Sequence, residues 1–340
     1  MEPLRFFKKS LRALNTAIRI RNGARVPFRI THITTTRCNL RCKYCGRWNS
    51  EKKDMSTGEI LSAMDEFSSA GTRAWDFSGG EPLIREDIGE LVDKAYELDF
   101  SCVLVTNGTL LKERLADVKK IKKIGAINIS LDGPKEIHDI IRGKGSFDRA
   151  LEGIKYAKSK GYKVHLSSVI SRENTQKGCK SLFDLFDIAK GLDCPIYLQP
   201  VYNSRYNHEK FPSLIPDEKD HKKAINLIRA FKYDNPTLNQ TSERTLRWFE
   251  GAFSDEQKWD CLAGRAYAFL FPDGVVAPCF FKEDKGINGL ENGFSKAFQM
   301  LELPDPMCKC MITCCVESNF QYGLSISEVE AQIKRFFTNK

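Results

Sequence analysis

The chain has 340 residues, 41% of them hydrophobic and 29% charged, with a formal charge of +9 and twelve cysteines. That length can bury the core of one large α/β domain with an appendage, and no apolar run approaches the roughly 18 residues of a membrane span. The first residues lack the apolar core of a secretory signal, so the cysteines are read in a reducing, cytoplasmic setting, where clustered thiols mean metal before disulfide.

The charge is uneven. Residues 1–25 hold seven cations against Glu2 alone. A nucleic-acid partner is not expected, because its binding face would spread cations along a groove with interleaved aromatics. Within the same segment Leu4, Phe7, Leu11, Leu14 and Ile18 recur at helical spacing, which predicts a basic amphipathic helix over residues 1–25. Its stripe either packs on the domain or lies on an anionic membrane surface, where apolar burial and basic residues together would hold it.

From residue 26 to about 232, short β-rich runs alternate with amphipathic stretches, the pattern of repeated βα units on a parallel sheet. Strands are expected near residues 28–34, 74–77, 102–106, 126–130, 164–169 and 196–198. A helix is expected over about 217–232. In residues 267–277, two short strands meet at Asp273-Gly274, a strong hairpin dipeptide. A last helix is expected within 321–340.

Cys38-Asn-Leu-Arg-Cys42-Lys-Tyr-Cys45 follows the first strand. Three thiols leave one iron of a cubane cluster without a protein ligand, whereas four saturate it and usually make an electron carrier. Zinc would want a fourth ligand nearby, and His32 lies on the predicted strand. Further polar groups close later strands. Gly79 and Gly80 let backbone approach a ligand, and Glu81 can accept from an ammonium. Thr106-Asn107-Gly108 and Ser130-Leu-Asp132-Gly133 offer hydroxyls and a carboxylate to a polar ligand, although both sequences are also turn formers.

The CX3CX2C spacing, with Ser78-Gly79-Gly80-Glu81-Pro82 one βα unit later, closely resembles the radical S-adenosylmethionine (radical SAM) superfamily. The resemblance implies a partial (β/α)6 TIM-like barrel. It also implies a [4Fe–4S] cluster on Cys38, Cys42 and Cys45 whose open iron is chelated by S-adenosylmethionine (SAM). Tyr44 would lie beside the adenine, and Arg142, in His138-Asp139-Ile-Ile-Arg142-Gly143, would meet the cofactor carboxylate. Reductive cleavage by an external flavodoxin- or ferredoxin-type donor would give a 5′-deoxyadenosyl radical able to take hydrogen from an unactivated carbon.

Near the other end, Cys261 and Cys279 with Gly274 between them give CX12GX4C. This resembles the opening of the SPASM and Twitch extensions, small cysteine-rich Fe–S appendages of the same superfamily, here placed in residues 233–320. Six cysteines cannot saturate two cubanes, so one auxiliary [4Fe–4S] cluster is expected on Cys261, Cys279, Cys310 and Cys314, with Cys308 and Cys315 as substitutes. A zinc cage is the alternative. Cys102, Cys179 and Cys194 are expected to be packing residues.

The sequence therefore predicts a radical SAM enzyme acting on a lipid, a small metabolite or a peptide. The contrasting reading is a non-catalytic Fe–S electron-transfer or redox-sensing protein. Polar residues after the later strands separate the two, since an electron carrier would not need them.

Overall fold

The computed structural model describes residues 15–16, 18–50, 52–117, 124–201, 212–253, 261–304 and 310–322. Most of the expected basic helix, the last helix and Cys308 lie outside these residues. At the described end of the first helix, Ile20 is fully buried while Ile18, the last member of the expected stripe, is 46% exposed.

Six parallel strands form as the hydrophobic runs predict: β1 (Arg29–Ile33), β2 (Ala74–Ser78), β3 (Ser101–Thr106), β4 (Ala126–Ser130), β5 (Val164–Ile170) and β6 (Ile196–Pro200). Three more, β7 (Tyr267–Leu270), β8 (Val275–Ala277) and β9 (Ile287–Asn288), give among the described residues a nine-stranded sheet in the order β6-β5-β4-β3-β2-β1-β7-β8-β9. Consecutive β1–β6 are neighbours, and β6 and β9 are the two edges, so this is an α/β sheet of partial-barrel type that does not close. The predicted hairpin is present as antiparallel β7 and β8. It does not stand apart from the sheet: β7 pairs in parallel with β1, placing Tyr267 beside Arg29 and Phe269 beside Thr31.

The two sheet faces differ. One carries Ile30, Trp75, Phe77, Leu104, Ile127, Ile129 and Leu166, all fully buried against the helical layer. Phe67, from the helix Thr57–Ala70, meets the Trp75 ring edge-on, and Trp75 stacks on Phe100. Alternation of side chains sends Thr31, Asp76, Asn128, Ser130, Ser167 and Tyr197 to the opposite face. A parallel sheet is normally apolar on both faces, so the polar side chains set among Val103, Val105 and Phe269 on this one suit it to face a ligand.

The helix Thr57–Ala70 begins with a capping box in which Ser56 and Glu59 satisfy each other's backbone amides, and ends at Gly71 in the left-handed region. The segment Arg172–Leu192 is broken at residues 176–179 by non-helical backbone, with Cys179 itself at positive φ. Cys102, Cys179 and Cys194 are all buried, as packing residues should be.

Candidate active site

β1 runs directly into the triad loop. Cys42 is buried, while Cys38 and Cys45 are half-buried. The Leu40 backbone amide points at Cys38 Sγ at 3.4 Å, and the Asn107 side-chain Nδ2 lies 4.0 Å from the same sulfur. An Arg142 guanidinium nitrogen lies 3.9 Å from Cys42 Sγ. Burial pushes the Cys42 thiol up to about 11, with Arg142 opposing that rise, so metal loading must displace a proton here.

No three His, Cys, Asp or Glu side chains among the described residues converge as ligands of a single ion would. Thiols that each cap a different iron need not converge. A loop presenting three separate thiols, with donors and a cation around them, fits a cubane better than a mononuclear metal.

Gly79 and Gly80 pack the turn after β2 onto this loop. The Gly80 amide donates to Thr35 O at 2.7 Å and the Glu81 amide to Arg37 O at 2.9 Å. A Cβ on Gly80 would come within 2.2 Å of the Arg37 carbonyl oxygen, and one on Gly79, at φ +143°, within 2.7 Å of Thr35 O. The close approach these glycines permit is thus to the loop that ends at Cys38.

Glu81 is fully buried and already partnered. It accepts from Thr106 Oγ1 at 2.8 Å, the Asn107 amide at 2.8 Å and the Leu83 amide at 3.1 Å. Burial raises its pKa, and these donors, Asn107 foremost, oppose the rise. It ties the end of β2 to the end of β3, leaving little capacity for an ammonium. Asn107 in turn donates to Asn39 Oδ1 at 2.9 Å, and Asn39 donates to Thr109 Oγ1 at 2.9 Å, so the β3 end braces the triad loop.

Tyr44, Asp132 and Arg142 form one network. Asp132 accepts from Arg142 Nε at 2.6 Å, from Tyr44 at 2.9 Å and from the Val169 amide at 3.0 Å. Arg142 also donates to the Tyr44 oxygen and lies 5.5 Å from the Tyr44 ring centroid. Asp132 is held below its ordinary pKa although burial alone would raise it, because Arg142 neutralises it. His138 Nδ1 accepts from the Asp132 amide at 3.2 Å, and burial, with Arg142, lowers the imidazole to about 4, so it is neutral and adds no charge. Asn174 Nδ2 donates to Asp132 O at 3.0 Å and to Val169 O at 2.8 Å, fixing the β4 and β5 ends together. Ser130 ends β4 on the concave face opposite Ser167.

The second thiol group gathers around Tyr267. The Tyr267 hydroxyl lies 3.6 Å from Cys261 Sγ and accepts from Asn319 Nδ2 at 2.8 Å. Cys315 is buried and in hydrogen-bonding contact with both Cys310 and Cys314. These contacts, Cys310 first, drive its thiol well above the ordinary range. Cys310 also contributes to the rise of the Cys261 thiol, which burial dominates. Cys314 is exposed, close to Asp76 and Arg29 on the concave face, and its pKa is lowered by the contact with Cys315. Cys279 is half-buried and lies two residues beyond β8, the strand that pairs with β7. Cys315 thus touches both Cys310 and Cys314, and Cys310 in turn lies near Cys261.

Sequence reasoning missed the roles of Asn39, Asn174 and Tyr267, because each depends on a partner distant in the chain: Thr109, Asp132 and Asn319.

Comparison with known proteins agrees with this geometry. Residues 32–185 match the family model of the radical SAM superfamily. A 162-residue stretch is 38% identical to the Fe-coproporphyrin III synthase of Methanosarcina barkeri, covering 46% of this chain and 40% of that protein. The chain thus spans less than half of that relative. The AdoMet-dependent heme synthase of Oleidesulfovibrio alaskensis is 25% identical over 291 residues, which are 80% of this chain and 74% of that protein. Among solved structures, Streptococcus suis SuiB bound to S-adenosylmethionine superposes with a TM-score of 0.65 at 17% identity, covering 83% of this chain and 67% of SuiB. Native anSMEcpe with bound AdoMet and a peptide gives 0.64 at 19% identity, covering 81% of each chain. The domain at residues 32–185, which holds the triad, the glycine turn and the Asp132–Arg142 pair, is a radical SAM domain, of the superfamily whose members use a [4Fe–4S] cluster and S-adenosylmethionine.

Proposed function

We infer that this protein is a SPASM/Twitch-type radical SAM enzyme whose substrate is a small metabolite of the iron-porphyrin class. The observation carrying the radical chemistry is the triad loop, braced by Asn107 and facing Arg142 at the carboxyl ends of the parallel strands, above a polar concave face. In such sheets ligands gather at those ends. The relatives are named as synthases of Fe-coproporphyrin III and of heme, which points to iron-porphyrin chemistry, and the sheet face carrying Asp76, Asn128, Ser130 and Tyr197 suits a ligand with several polar groups. When bound and reduced by a flavodoxin- or ferredoxin-type donor, the cluster and SAM supply a 5′-deoxyadenosyl radical that abstracts hydrogen from an unactivated carbon.

The chain's own residues do the positioning. Arg142, its charge balanced by Asp132, would meet the cofactor's carboxylate, while Tyr44 is held at the loop by both. Thr106 and Asn107 hold the β3 end against the triad, and Ser130 offers a hydroxyl to the ligand. The group around Tyr267 would hold the auxiliary cluster through Cys261, Cys279 and Cys310, with Cys315 favoured over Cys314 as fourth ligand because it is buried and touches Cys310. Four thiolates would saturate that cluster, so its role is electron transfer with the substrate radical.

Titration of the reconstituted protein with Fe-coproporphyrin III tests the substrate class. A saturable shift of the porphyrin absorption band is expected, together with faster 5′-deoxyadenosine release in its presence. An unchanged band and an unchanged rate would discard the porphyrin class and leave the SAM chemistry standing.

A further inference from the structure

The segment just after the triad reaches across to the hairpin just before and after Cys279. Arg47, two residues beyond Cys45, is 8% exposed. It donates to Glu283 Oε2 at 2.7 Å and to the Phe280 carbonyl at 3.1 Å. Its guanidinium carbon sits 4.1 Å from the Phe280 ring centroid and 4.9 Å from that of Phe271. Lys52 closes the other side, pairing with Glu283 Oε1 at 2.5 Å and with Asp273. The Met55 amide adds a bond to Pro272 O at 2.7 Å. Although burial alone would raise it, the Glu283 carboxyl is held below its ordinary range by Lys52 and Arg47.

We propose that Arg47 is a positioning residue that fixes the Cys279 turn to the triad loop, so that the two thiol groups are ordered as one unit. Its contacts trace a short route between them: Cys45, Gly46 and Arg47 along the chain, one hydrogen bond to the Phe280 carbonyl, then Cys279 next door. A planar guanidinium suits the place. Its flat face lies on two rings while its edge donates to Glu283 and to the Phe280 carbonyl, a combination that a compact lysine ammonium does not offer. The inference deepens the two-cluster reading but stands on protein contacts alone.

Amide hydrogen exchange on the full-length protein tests it, comparing wild type with Glu283→Gln and Arg47→Met. Glu283→Gln keeps the side-chain shape and sits 236 positions from Arg47. It is expected to speed exchange about tenfold in the peptide covering residues 38–50 as well as in the one covering 271–285, the scale of losing a charge-assisted bond. The β4 and β5 strands and the exposed Lys112→Ala control should not change. Acceleration confined to 271–285, or spread over the whole chain, would overturn the proposal, as would no change at all. If Arg47→Met does not fold, Glu283→Gln decides. A spectroscopic arm adds what a purely structural role would not move: Cys279→Ala should alter the electron paramagnetic resonance signal of the reduced triad cluster in wild type and not in the Glu283→Gln background. Iron content of Cys279→Ala is read separately. Undiminished iron there would remove Cys279 from the auxiliary ligands, while coupled exchange would still support the Arg47 clamp.

Discussion

Asp132→Ala is expected to destabilise the protein by about 3–5 kcal/mol and to abolish SAM binding, because it strips the partner from a buried guanidinium. Asp132 is fully buried and Arg142 is 7% exposed, so the abandoned cation cannot be rehydrated without opening the helix Lys135–Arg142. The Tyr44 hydroxyl and the Val169 amide lose an acceptor in the same step. Asp132→Asn keeps an acceptor of the same shape and is expected to lose less. Urea unfolding at constant m value gives the stability change, and equilibrium dialysis gives SAM binding. The pH dependence follows in sign. The folded-state pKa of Asp132 lies below its ordinary 3.8, so this stabilisation is fully present above that value and is lost as pH falls through the lower folded value. Wild type should therefore lose its advantage over Asp132→Ala progressively below about pH 4. An advantage unchanged down to pH 2 would refute the charge pairing.

Gly80→Ala should cost about 3 kcal/mol, at the upper end for overpacking, and should strip the triad site of iron. The added Cβ would meet the carbonyl oxygens of Arg37 and Thr36 at 2.2 and 2.6 Å, and backbone has no rotamer through which to yield. The strand end and the turn must separate, which breaks the bonds from Gly80 and Glu81 to Thr35 and Arg37 immediately before Cys38. Gly143→Ala is the matched control for the triad site, since nothing lies within 4 Å of a Cβ there, although its φ of +117° carries its own strain. Iron analysis after reconstitution should show loss in Gly80→Ala and retention in Gly143→Ala. Full iron loading of a stable Gly80→Ala protein would contradict the role assigned to this turn.

The parallel strands were legible because their signal is local. Runs such as Ala126–Ser130 and Val164–Ile170 set Val, Ile and Leu between polar residues at a two-residue period and are bounded by turn residues, and the CX3CX2C spacing is equally local. Partners joined only by folding left no such trace. Nothing in Arg47-Trp-Asn announces a carboxylate 236 positions away, and nothing in Gly79-Gly80 tells a ligand's approach from that of a neighbouring loop. Glu81 looked free to meet an ammonium because its three donors come from backbone and side chain at positions 83, 106 and 107. The choice between Cys314 and Cys315 is of the same kind. Successive residues on a helix point about 100° apart, so adjacent thiols in the helix Thr313–Tyr322 face different surroundings, and only the helix's placement tells which faces Cys310.

Release of 5′-deoxyadenosine from S-adenosylmethionine by the anaerobically reconstituted, reduced protein tests the central claim most directly. Wild type should release it and Cys42→Ala should not, because removal of the buried thiol beside Arg142 leaves the cluster without one of its three protein ligands. No release by fully loaded and fully reduced wild type, or equal release by Cys42→Ala, would contradict the assignment of the triad to radical chemistry.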